Sequence, residues 1–385
     1  MTLPSPLDTS RRRFLFASLG AAVGTSLAQE AETQPWNEAV RILRGAVDGG
    51  LIRSAVIHVT SHREKKPDEL CFAFGKDAFS EAMFLLGSIS KPIVITGLMT
   101  LFEKGAFRLE DKIARFLPAF RGDGREDVTV RDVLTHTSGL PDQVAHNAEL
   151  RKNHAPLPEF IRAAERTPLQ FKPGSRYEYS SMGILLAAHI AEIVTGEDIR
   201  AFTHRTVLEP LGMKRSAQGL GGFELKDVEP MQIEHAAPEA GGGDPSSAGW
   251  GWNSPYWRSL GAPWGGTHAS AGDVSKWLSE FLLEQGRVLH PDTARRMTSN
   301  HNPAAFPSRG LAFDVGPALA RHGVSERVFG HTGSTGTIAW ADPVSRTVCV
   351  VLTTLPARAV TPHPRDLASD AVARSAASMR PGTRG

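Results

Sequence analysis

Ser88-Ile89-Ser90-Lys91 sets a hydroxyl and an amine three positions apart. On a helix that spacing puts both side chains on one face, within reach of each other. A serine hydroxyl attacks a carbonyl only when something takes its proton. A lysine can do that only if its pKa falls from about 10.4 to near neutrality, a drop worth about 4 kcal/mol that burial and neighbouring charge must supply. The residues that follow meet the condition. Ile89, Ile93, Val94, Ile95, Leu98, Met99, Leu101 and Phe102 are apolar on nearly every side of a helix from Gly87 to Lys104, which places it inside the core. Its N-terminal end also favours negative charge on the serine oxygen. Ser-x-x-Lys alone is equally a capped helix start with a snorkelling lysine. The apolar surroundings weigh against that, because an unpaired cation is costly there.

Two further segments stand where this chemistry needs partners. Tyr179-Ser180-Ser181 follows the turn Phe171-Lys172-Pro173-Gly174 and precedes a helix; a tyrosine there can face the serine and pass its proton to a leaving group. Read alone, it is a half-buried aromatic with its hydroxyl bonded to backbone. His331-Thr332-Gly333-Ser334 stands at the start of a strand. Gly333 would let a substrate approach the backbone, and the Ser334 amide would donate to an oxyanion. Read alone, it is a hairpin turn with an exposed histidine.

The elements that position these groups can be read from periodicity. Trp36 to Val47 has helical spacing, ended by Gly49-Gly50. Ala55–Val59 and Leu70–Phe74 read as strands joined by a charged turn. From Leu109 to Gly212 the pattern is mostly helical: Thr129–Thr135 with Thr129 as cap, Pro158–Arg166, and Met182–Val194 closed by Gly196. Gly219 to Gly266, rich in Gly, Pro and Trp, reads as long surface loops, followed by a helix from about Ala271. Ala312–Val315, Val324–Phe329, Thr335–Ala341 and Thr347–Leu352 read as strands, with Asp342-Pro343 as a turn, and a helix from about Pro364 to Ser378 ends the chain. Strands at both ends and helices between them predict an α+β fold, one sheet built from both termini with a mainly helical insert.

Of 385 residues, 41% are hydrophobic and 22% charged, enough to bury a core without metal or disulfide staples. Arg11-Arg12-Arg13-Phe14-Leu15, an apolar run to Ala28 and small residues at Ser26 and Ala28 describe a cleavable export signal over residues 1–28, similar to the twin-arginine type. The run is too short for a membrane span, so no stable span is expected after cleavage. Export implies a periplasmic or extracellular bacterial protein. Residues 29–385 read as one domain, with its α/β part at about 35–108 and 265–385 and the helical and loop insert at about 109–264. Residues 1–28 carry three Arg and one Asp, so their removal leaves basic and acidic residues equal in number. With no basic run after Arg13, nucleic acid is not an expected partner. Cys71 and Cys349 lie in apolar strands and read as free buried thiols, although an export compartment would permit a bond between them. No paired cysteines and no His-Glu-x-x-His run offer a zinc site, so neither metal nor cofactor is expected.

The order Ser-x-x-Lys, then Tyr-x-x, then His-Thr-Gly resembles the serine β-lactamase and penicillin-binding-protein superfamily. The Tyr and His versions are most similar to its class C β-lactamases and family VIII esterases. Three segments outside the site look like the same branch: Val128 to Pro141, Phe171-Lys172-Pro173-Gly174, and Gly336 to Pro343. The resemblance runs from about Trp36 to the final helix. It implies a β-lactamase/transpeptidase-like fold, with an antiparallel sheet flanked by helices. It also implies acylation of Ser88, acid–base work shared by Lys91 and Tyr179, and an oxyanion hole from the amides of Ser88 and Ser334. His331 would stand near a substrate carboxylate or ester oxygen, where lysine is usual. His136-Thr137-Ser138-Gly139 and Trp264-Gly265-Gly266 imitate the third motif. The first ends a helix and the second precedes one, so both are assigned to structure.

Two residues depart from the pattern. Ser181 stands in place of an asparagine whose carboxamide would reach the lysine and a substrate's acyl amide. His331 replaces lysine, so a charge there depends on pH. Both changes weaken recognition of a β-lactam and favour carboxylic esters or small peptide-like amides. The alternatives are a β-lactamase or D-Ala-D-Ala carboxypeptidase, and an inactive ligand-binding homologue. The absence of Gly-x-Ser-x-Gly removes the α/β-hydrolase reading. Trp250, Trp252, Trp257 and Trp264, with Tyr256, either line an apolar acyl pocket or pack beneath a loop, while Trp277 reads as core.

Overall fold

The computed structural model describes residues 36–76, 78–319 and 322–379; the proposed export signal lies outside them. Among the described residues, six strands form one antiparallel sheet in the order β2-β1-β9-β8-β7-β6. They are β1 (Ser54–Ser61), β2 (Asp68–Gly75), β6 (Asp314–Val315), β7 (Phe329–Gly333), β8 (Thr337–Asp342) and β9 (Thr347–Thr353). The two N-terminal strands join the four C-terminal ones through the pairing of β1 with β9. A smaller antiparallel sheet joins β3 (Phe84–Leu85), β5 (Thr267–Ala269) and β4 (Ser216–Gln218).

The helices are α1 (Asn37–Asp48), α2 (Ser90–Glu103), α3 (Val130–Leu134), α4 (Asn147–Lys152), α5 (Leu157–Arg166) and α6 (Ser181–Thr195). They continue as α7 (Ile199–Thr203), α8 (Pro255–Leu260), α9 (Ala271–Leu282), α10 (Pro291–Met297) and α11 (Pro364–Ser378). Successive strand residues point to opposite faces. Ile57, Trp340 and Val351 accordingly pack with Leu43 of α1 and Val372 of α11. Val56, Val350 and Leu352 face the other way, into a core shared with α2, α6 and α9. The α+β fold and the sheet drawn from both termini are as expected.

The same alternation settles the cysteines. Cys71 lies opposite His58, and Cys349 opposite Val59. Neighbouring positions of one strand face opposite ways, so the two thiols lie on opposite faces of the sheet, and no disulfide joins them.

Two expectations are corrected. Residues 324–328 are not a strand, because Ser325 turns the chain by bonding the Asp342 carboxylate through both its amide and its hydroxyl. Strand β7 therefore starts at Phe329 and contains His331 rather than preceding it. Residues 219–266 are surface loops only in part: 221–249 are largely exposed, whereas 250–266 fold inward. Short helical turns there bury Trp250, Trp252, Trp257 and Trp264. Consecutive glycines 241–243, all at positive φ, make the tight bends this requires.

Candidate active site

Ser88 lies in a single 3-10 turn, Gly87–Ile89, that runs straight into α2. Helix α2 is buried on almost all sides, and Pro92 falls in its first turn, where no intrahelical N–H is missed. Ser90 fixes the helix laterally by accepting a 2.9 Å bond from the amide of Thr267 on β5. Lys91, 1% exposed, donates to the Ser88 hydroxyl and to the carbonyl oxygen of Trp264, each at 2.9 Å. Burial is the main force on its amine. Aided by Arg309 and opposed by Asp142 and Glu239, it brings the pKa down to about 7. A neutral amine is then accessible beside the serine near neutral pH.

Tyr179 stands across from both. Its hydroxyl bonds Ser88, and burial raises its pKa well above that of a free phenol. Lys91 Nζ is 4.8 Å from the ring centroid. The ring is held by His136, whose centroid is 4.5 Å away. His136 follows α3 at φ 60°, accepts a bond from the Ser180 amide through Nδ1, and its carbonyl accepts from the Glu178 amide. The segment assigned to structure therefore clamps the tyrosine. Ser180 then caps α6 through the Gly183 amide.

Gly333 has a different role from the one expected. A Cβ there would meet Leu86 O and Thr337 Oγ1, each at 2.2 Å. The glycine thus lets β7 lie against the chain leading into Ser88, rather than admitting substrate. Gly87, at φ +58°, would likewise push a Cβ to 2.8 Å from Thr335 Oγ1 and 3.3 Å from the Ser334 amide nitrogen. The two glycines bring the turns of Ser88 and Ser334 together, and both serines border one cavity of about 120 Å³.

His331 departs from its expected place beside the substrate, and its conditional charge resolves to neutral. It is 3% exposed and does not border that cavity. Its Nδ1 donates to Thr332 O at 2.7 Å, and its Nε2 accepts from Arg309 at 2.8 Å. These partners require the neutral ring, and burial, with Arg309 and Lys91 nearby, keeps its pKa well below the usual value. Arg309 carries the charge instead, paired with Asp314 and 5.3 Å from the Tyr179 ring. Ser181 borders the cavity but its hydroxyl and amide both donate to Asp142 Oδ1, at 2.6 and 2.9 Å.

Trp264-Gly265 also belongs to the site, contrary to the sequence reading. It leads into β5 rather than directly into a helix, presents its carbonyl to Lys91 and borders the cavity with Trp252 and Trp257. Trp250 and Tyr256 stay outside the lining, and Trp277 packs in the core against Phe313. Sequence reasoning missed Asp142, Arg309, Arg151 and Glu239. Asp142 directly follows the Val128–Pro141 segment, which was a usable signal. Nothing local marks the other three.

A serine-lysine-tyrosine triad at the start of a buried helix, beside an antiparallel sheet from both termini, defines the serine β-lactamase and penicillin-binding-protein-like architecture. A family model described as Beta-lactamase matches residues 48–373; the chain belongs to that family. A protein of Escherichia coli (strain K12) bearing the provisional name D-alanyl-D-alanine carboxypeptidase is 26% identical over 298 residues, 67% of this chain and 65% of that protein. The chain thus spans just under two thirds of that relative. Esterase EstB of Burkholderia gladioli is 33% identical over 155 residues, 36% of this chain and 39% of its own. The solved structure of "EstCE1, a hydrolase with promiscuous acyltransferase activity" superposes at TM-score 0.72 and 22% identity, over 90% of this chain and 100% of that one, a likeness of fold.

Proposed function

We propose that the protein is an exported serine hydrolase of short-chain carboxylic esters or small peptide-like amides. The observation that carries this reading is the buried Lys91 amine, with its pKa near 7, bonded to Ser88. Ser88 Oγ attacks the carbonyl carbon while its proton passes to neutral Lys91. The carbonyl oxygen gains the electron pair beside the amides of Ser88 and Ser334. The lysine proton then moves through the Tyr179 hydroxyl to the departing alkoxide or amine, and the carbonyl re-forms as the acyl-enzyme. Water enters by the reverse relay, releases the acid and restores Ser88.

Two features favour esters over β-lactams. Ser181 is bound to Asp142 instead of offering an amide group, and neutral His331 offers no cation to a substrate carboxylate. The cavity, about 120 Å³ and somewhat smaller than the ~150 Å³ space that accepts benzene, suits a short acyl chain. The name of the Burkholderia relative agrees with this choice. The test is turnover of short nitrophenyl esters together with fluorophosphonate labelling, both lost in Ser88→Ala. Labelling by a fluorescent penicillin with faster turnover of cephalosporins or D-Ala-D-Ala peptides would replace esters as the substrates. A folded protein that takes no probe would be a binding homologue. Export is tested by the N-terminus of the mature protein, expected just after Ala28.

A further inference from the structure

Arg151 is a buried cation whose charge the hydrolase chemistry does not use. It projects from α4, is 1% exposed and borders the same cavity as Ser88. Its guanidinium carbon lies 3.8 Å from the Trp257 ring centroid, so an indole covers one face. Nε and Nη1 are shielded from solvent and have no hydrogen-bond partner among the described residues. Burying guanidinium donors unpaired is unfavourable, and a packed core without a ligand to receive would place an apolar side chain there. Asp142 and Glu239 border the cavity too and offset the charge at a distance. Neither makes an ion pair or hydrogen bond with Arg151 among the described residues.

Resting on the hydrolase reading above, we infer that Arg151 is a specificity residue that binds a second, neutral oxygen acceptor on the acyl group, a ketone or amide carbonyl a few bonds beyond the ester. A charged acceptor is disfavoured because Asp142 and Glu239 already offset the guanidinium charge, so a carboxylate beside it would add an anion with no cation left over to balance it. A purely alkyl acyl group would leave the guanidinium donors unpaired. The planar fork of donors suits a carbonyl oxygen approaching in its plane, and the tryptophans enclose the intervening methylenes.

Three nearly isosteric nitrophenyl esters separate these cases: 4-oxopentanoate, 4-methylpentanoate and hemisuccinate. The expected order of kcat/KM places the 4-oxo ester first, at least about ten-fold above either of the others, the discrimination that one charge-assisted hydrogen bond gives. In Arg151→Met the ratio of 4-oxo to 4-methyl turnover falls to about one, and Arg151→Lys, a cation without the fork, is intermediate. Equal rates for the 4-oxo and 4-methyl esters in the wild-type protein, or a lead for the hemisuccinate, overturn the inference even if Arg151→Met does not fold. A ratio unchanged in a folded Arg151→Met overturns it too. Fluorophosphonate labelling of Ser88 is measured alongside. If the wild-type protein is labelled but treats the esters alike, only the acceptor assignment fails; if it is not labelled, the hydrolase reading fails as well.

Discussion

Lys91 donates to the backbone oxygen of Trp264, 173 positions later in the chain, at the same 2.9 Å at which it reaches Ser88. The proposed base is therefore held from two sides, by a hydroxyl in the turn that leads into its helix and by a carbonyl from the segment entering β5. A neutral amine can donate to Trp264 and still offer its lone pair to the serine proton. An ammonium can only donate.

That arrangement makes the acidic limb of the pH profile a titration of Lys91. Charged lysine cannot accept a proton, so kcat/KM for a nitrophenyl ester rises as pH increases through about 7. A limb centred near 4 or near 10 would assign the base elsewhere.

Asp142 gives this prediction a second handle. Its negative charge raises the pKa of Lys91 against the burial that lowers it. Asp142→Asn removes the charge, so the midpoint of the acidic limb moves to lower pH. Ser181→Ala deletes a bond to the same carboxylate and leaves the charge, so the midpoint stays. The check is a pair of pH profiles, and an upward shift in Asp142→Asn would contradict the charge assignment.

How much of this could be read from the chain depends on where each partner lies. Ser88 and Lys91 are three apart on one buried helix, and the apolar run around them was enough to foresee a depressed amine. Tyr179 and Ser334 were found because each lies in a short motif with its own turn. Trp264 stands out in the sequence only as a possible pocket wall; the carbonyl it gives to Lys91 is one that every residue has, so nothing in its identity pointed to that bond. Arg309 and Arg151 are buried cations in ordinary surroundings, and only tertiary packing brings them to the site. The tryptophan-rich stretch looked like loop because 3-10 turns and glycine bends leave no regular apolar period, although its four tryptophans are buried. His331 was singled out in the sequence, but its neutrality comes from burial and from Arg309, 22 positions away, which only the fold brings to it.

Lys91 also links stability to pH. Its folded pKa of about 7 lies below the unfolded value of about 10.4. Below pH 7 both states hold the proton, and the folded state carries a buried charge. Between pH 7 and 10 only the unfolded state holds it, so this group makes the fold more stable as pH rises across that window. Lys91→Met removes the buried amine. It should raise the melting temperature, by more at pH 6 than at pH 9, while ester turnover is lost. The gain is bounded by about 4 kcal/mol for a three-unit shift, and an equal gain at both pH values would mean the amine is not the cause.

Tyr179 separates the relay from the scaffold. Tyr179→Phe keeps the ring that packs on His136 and near Lys91 and deletes only the hydroxyl bonded to Ser88. The melting temperature should hardly change, KM should stay within a few-fold, and kcat should fall by about 10²–10⁴, the usual contribution of a positioned acid or base. Loss of proton delivery weighs more on a poor leaving group. The fall should therefore be steeper for an alkyl ester than for the matching nitrophenyl ester, whose phenolate departs without a proton. An equal fall for both esters would show that the phenol orients Ser88 rather than carrying its proton.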